Sequence, residues 1–150
     1  MAKIDSGAEA RAAEKIKRQD PFEVLRDAAD IGSVTDLRLH DYQPRGNTPL
    51  FDALGNLIRA ADKRVTTLGS AEDQIIVVFT DGHENASSTW TRQALFDLIE
   101  EKKTDGWAFV FMGANQDSYA EGDKIGLDDG NVQNYASDSD NIAMAYQSMN

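Results

Sequence analysis

The chain has 150 residues, enough for one domain whose core needs no covalent staples. It contains no cysteine, which excludes disulfides, thiolate chemistry and cysteine-based zinc sites, and its two histidines show no HExxH spacing. A net charge of −11, from 26 acidic and 15 basic residues, repels phosphate backbones and argues against nucleic acid as a partner.

Taken in order, residues 2–4 read as a strand end. Residues 8–18, rich in Ala, Glu, Lys and Arg, read as a helix with a thin apolar stripe. Asp20, Pro21 and Glu23 suit an N-cap, a first helical position and the closing acid of a capping box. Phe22, Leu25, Ala28 and Ala29 follow at helical spacing and Gly32 supplies a stop, which predicts a helix over residues 21–30. A short edge strand at FEVL is the competing reading. Residues 33–42 show alternation only at Leu37 and Leu39, and residues 43–47 are a loop by composition. Thr48 and Pro49 then supply a cap residue and a first-turn proline. Leu50, Ala53, Leu54, Leu57, Ile58 and Ala61 keep a helical period to about Arg64.

Residues 75–79 are an uninterrupted apolar run, IIVVF, mostly β-branched. This reads as a strand buried on both faces in the middle of a parallel sheet. It runs into Thr80, Asp81 and Gly82. Ligands of open α/β sheets bind outside the carboxyl ends of the strands, so Asp81 is placed where a site would be; a plain turn is the competing reading. Residues 86–90 are polar loop, Thr91 is a cap, and Leu95, Leu98 and Ile99 mark a helix to about Lys103. A second apolar run, WAFVFM, covers residues 107–112. A short helix over residues 117–125 closes at Gly126, a last short strand lies at 131–136, and residues 138–149 carry a loose helical pattern. Helices alternating with strands predict an α/β fold with a parallel sheet and right-handed crossovers.

Two loops concentrate the chemistry. GNTPLFDA puts the Thr48 hydroxyl at a helix start, and FTDG puts the Asp81 carboxylate at a strand end. In a doubly wound sheet both lie on one rim. A hydroxyl and a carboxylate, completed by waters and a further oxygen, suit a hard cation such as Mg²⁺.

Here the sequence resembles a known family. GNTPLFDAL followed by IIVVFTDGHEN is similar to the von Willebrand factor A (vWA) domain. That family carries a metal-ion-dependent adhesion site built from Asp-x-Ser-x-Ser after the first strand, a threonine in a Gly-x-Thr-Pro-Leu segment and an aspartate in Thr-Asp-Gly. Thr48 matches the second part and Asp81 the third. The resemblance covers residues 42–115 and continues more loosely beyond, in the style of bacterial members. It implies a three-layer, Rossmann-like, open and mostly parallel sheet flanked by helices, with one vWA-like domain over residues 1–150. Residues 42–150 form the vWA-like core and residues 1–41 a divergent or truncated part. No Asp-x-Ser-x-Ser occurs; Asp5-Ser6-Gly7 is the nearest match, and residues 137–140 lie in the wrong place. The fold is therefore expected to be N-terminally incomplete, either beginning after the first strand or carrying a degenerate motif. The first is preferred, because no apolar strand survives in residues 1–7. A missing central strand would leave an apolar edge open to self-association.

The function implied is a protein-binding module. Mg²⁺ or Mn²⁺ held by Thr48 and Asp81 would bridge to an exposed carboxylate on a partner protein, with no bond made or broken, so no enzyme is expected. The alternative is a metal-free interaction or assembly protein that keeps the scaffold. A Mg²⁺-dependent hydrolase centred on Asp81 would need more, and GxxxxGK[ST], GxGxxG and GxSxG are all missing. Plainer roles compete for each residue. Thr48 can be a cap, Asp52 can favour the helix dipole, and His83 and Glu84 can face solvent in a loop. Trp90 and Trp107 suit packing, and Asn115 and Asp117 suit turns or caps. No apolar run approaches the ~20 residues that span a bilayer, and MAKIDSGAEA has no signal-peptide core. The expectation is a cytoplasmic protein without a membrane partner.

Overall fold

A computed structural model of the chain describes residues 24–25, 29–36, 38, 46–69, 72–114, 118–136 and 138–147. The chain divides into two compact units, Met1–Gly46 and Asn47–Asn150. In the first unit the described residues contain one 3-10 turn, Ile31–Ser33. The Asp30 carboxylate accepts the Gly32 N–H at 2.9 Å, and the Ser33 hydroxyl donates to the Asp30 carbonyl at 2.7 Å. Val24, Leu25, Ala29 and Asp30 are not helical, so the helix expected over residues 21–30 is corrected at those positions. A short acid that bonds its own backbone two residues on competes with helix continuation. The expectations that fall on residues 1–23, 26–28, 37 and 39–45 lie outside the described residues.

The second unit alternates helix and strand as the pattern predicts. Its elements are α1 (Leu50–Leu68), β1 (Ile75–Thr80), α2 (Arg92–Thr104), β2 (Ala108–Ala114), α3 (Ser118–Asp123), β3 (Val132–Tyr135) and α4 (Ser139–Gln147). The strands form an open, all-parallel sheet in the order β1-β2-β3, with Ile76 beside Phe109 and Phe111 beside Val132. The fold is α/β and compatible with a Rossmann-like architecture.

One face of the sheet carries the core. Ile76, Phe109, Phe111 and Val132 pack with Leu54 and Ile58 of α1, Leu95, Leu98 and Ile99 of α2, and Ile125 and Leu127 after α3. Each such side chain contributes roughly 1.5–3 kcal/mol when fully buried. Thr91 caps α2, as predicted, by accepting the Ala94 N–H at 3.2 Å. α1 runs four residues beyond the predicted end before Gly69 stops it. The two helices are tied by Lys102, 5% exposed, whose ammonium bonds Asp62 at 2.8 Å and Asp105 at 2.9 Å and pairs with Glu101 at 3.1 Å. The Asp62 carboxylate holds that proton well above the usual lysine range, outweighing the effect of burial.

The other face is half bare. Successive strand residues point to opposite faces, so Ile75 and Val77 share a face with Ala108 and Val110. Ile75 is 67% and Val77 40% exposed, and Ala108 is exposed too; nearer the carboxyl ends, Met112 and Ala114 on the same face are buried. This corrects the expectation that the IIVVF strand is central and buried on both faces. Among the described strands β1 lies at the sheet edge. An apolar run reports a tendency to be buried; it does not report which neighbour is present. Among the described residues, no helix is long and apolar enough to cross a membrane.

Candidate functional site at the carboxyl end of β1

The last residue of β1, Thr80, is buried and bends the chain that follows it. Its hydroxyl donates to the Gly82 carbonyl at 2.9 Å and accepts the Gly82 N–H at 3.2 Å. The bend leaves Asp81 exposed. Among the described residues no hydrogen bond or ion pair reaches its carboxylate.

The GNTP loop meets this bend, as the sequence anticipates. The Thr48 N–H donates to the Asn85 side-chain oxygen at 2.8 Å, and the Asn85 N–H donates back to the Thr48 carbonyl at 3.2 Å. The Thr48 hydroxyl lies so close to Gly82 that a Cβ built there would stand 2.7 Å from it. Gly82→Ala is therefore expected to cost about 1–3 kcal/mol, the range for overpacking a fitted contact. Urea unfolding measures it, and an unchanged midpoint would mean that Thr48 is free to move aside.

Thr48 is not the helix cap. That position belongs to Pro49, which has no side-chain capping bond. The orphan amides of the first turn are served from the far loop instead. The Phe51 N–H donates to Glu84 Oε2 at 2.9 Å, and the Asp52 N–H donates to the Ser87 hydroxyl at 3.0 Å. That hydroxyl donates in turn to Glu84 Oε2 at 2.7 Å, while Glu84 Oε1 accepts the N–H groups of Ala86 and Ser87. Asp52 reaches back across the same seam. Its carboxylate accepts the N–H groups of Ser88 at 2.9 Å, Thr89 at 3.0 Å and Trp90 at 2.7 Å.

Two residues given minor roles by the sequence reading are thus the anchors of the rim. Asp52, 7% exposed, is a buried acceptor as well as a first-turn acid, and Glu84 is half-buried, not turned to solvent. No local pattern in the sequence singles out these two acids. The Ser88 N–H is the main reason the Asp52 carboxyl sits below its ordinary range; burial opposes it, and the Trp90 and Thr89 amides add to it. Burial pushes Glu84 up, but the amides of Ser87, Phe51 and Ala86 and the Ser87 hydroxyl together outweigh it, so this carboxyl too lies below its ordinary range.

The remaining candidates fall into place around this seam. Trp90 and Trp107 pack against the core. The Trp90 indole N–H donates to Asn56 at 3.1 Å, and its ring lies against Gly55. His83 is exposed, with Nδ1 3.6 Å from a Glu121 oxygen of α3. Asp138, in the tract out of place for a metal motif, accepts the Asn141 N–H at 2.9 Å near the start of α4. Asn115 and Asp117 lie outside the described residues. A concavity of about 460 Å³ beside α2, lined in part by Phe96, Lys103 and Leu127, shares no residue with the rim.

Chemically, the rim offers one uncommitted carboxylate beside one hydroxyl. Among the described residues no group of three or more His, Asp or Glu side chains is placed to hold a metal ion. Asp52 and Glu84 are spent on backbone amides. The Thr48 hydroxyl and the Asp81 carboxylate are too few donors to cage a cation with protein groups alone. Set against family models, curated proteins and solved structures, the chain matches none.

Proposed function

We propose that the chain is a protein-binding module of vWA type, on a three-layer Rossmann-like scaffold, whose contact surface is the rim at Thr48 and Asp81. The observation that carries this reading is the exposed, uncommitted Asp81 carboxylate on a loop already fastened to the start of α1 through Asn85 and Glu84. A preformed loop loses little freedom on binding, which suits recognition at a shallow rim. Thr48 through its hydroxyl and Asp81 through its carboxylate would hold Mg²⁺ or Mn²⁺, and water and a partner's exposed carboxylate would fill the remaining positions. The cation supplies positive charge between two carboxylates that otherwise repel, a need sharpened by the net charge of −11. No bond is made or broken.

The melting temperature in Mg²⁺ or Mn²⁺, compared with EDTA, tests the proposal. A cation at 100 times its dissociation constant adds ~2.7 kcal/mol, about 5–10 °C for a chain of this size. The expected result is a rise in the native protein and none in Asp81→Ala. A native protein indifferent to both cations would contradict the bridge.

A metal-free interaction or assembly protein is the second reading. It is favoured by one specific observation: the Thr48–Asn85 and Phe51–Glu84 hydrogen bonds fasten the two loops with protein groups alone. Partner binding that persists in EDTA yet is lost in Asp81→Ala would select this reading over the bridge.

A further inference from the structure

We draw no further inference here: the strongest candidate, the half-bare sheet face at Ile75, Val77, Ala108 and Val110, is an apolar surface for which nothing in the structure shows what covers it.

Discussion

Asp52→Ala is expected to cost about 3 kcal/mol of stability, the largest loss of any single rim substitution. Three backbone N–H groups, those of Ser88, Thr89 and Trp90, lose their acceptor together. Hydrogen bonds to a charged group are worth roughly 1.5–3 kcal/mol each, but they are not additive within one network. Ser88 and Thr89 are exposed, so water replaces part of what they lose; Trp90 is half-buried and recovers less. Asp52→Asn keeps an acceptor and loses the charge, so about half the effect is expected. Urea unfolding followed by tryptophan fluorescence measures both variants. A loss under about 1 kcal/mol in Asp52→Ala would show that the seam is held by other contacts.

The acid dependence follows from the same bonds. Asp52 and Glu84 both have carboxyls below their ordinary range in the folded protein, so the unfolded chain binds their protons more tightly. Their stabilising contribution is whole above the unfolded carboxylate values, near 4, and drains as pH falls through the lowered folded values. Stability should be flat in these two groups from neutral pH to about 5 and fall below about 4. Asp52→Ala should show a shallower fall than the native protein.

Gly55→Ala tests the same loop from the helix side, and its sign is diagnostic. In an exposed helix the substitution gains about 1 kcal/mol. Here a Cβ would stand 2.4 Å from two indole carbons of Trp90 and 2.7 Å from a third. The ring is not free to yield. Its backbone is held by Asp52, its N–H by Asn56, and the Arg59 guanidinium lies 6.0 Å from its centroid. Overpacking against a held side chain costs about 1–3 kcal/mol and often exceeds the helical gain. A net loss of about 1–2 kcal/mol is expected, with a shift in tryptophan emission as the ring is displaced. A gain in stability in Gly55→Ala would mean that the loop carrying Trp90 is not fixed on α1.

What the sequence made legible and what it hid differ in range. The succession from α1 to α4 follows from local periodicity: Leu54 and Ile58 recur at helical spacing, and IIVVF and AFVF are short apolar runs. Thr91 as a cap is equally local, because acceptor and donor lie three residues apart. The meeting of Thr48 with the Asp81–Gly82 bend spans more than thirty residues, and it was readable because a helix start and a strand end share one rim of a doubly wound sheet. The Asp52 and Glu84 anchors span similar distances and carry no such signature. An acid early in a helix looks the same whether it faces solvent or accepts three amides from another loop. Proline at the cap displaced Thr48 from its expected role for a related reason: the far loop supplied the capping, which removed the need for a local oxygen. The bare face of β1 was hidden because apolar character does not name its neighbour.

Paramagnetic broadening by Mn²⁺ tests most directly the proposed cation bridge at Thr48 and Asp81. In amide-resolved NMR of the native protein, substoichiometric Mn²⁺ is predicted to broaden Thr48, Asp81 and Gly82 first. It should leave Lys102 to Asp105 untouched, and the selectivity should disappear in Asp81→Ala. Broadening spread over the acidic surface with no preference for residues 48 and 81 would contradict the claim.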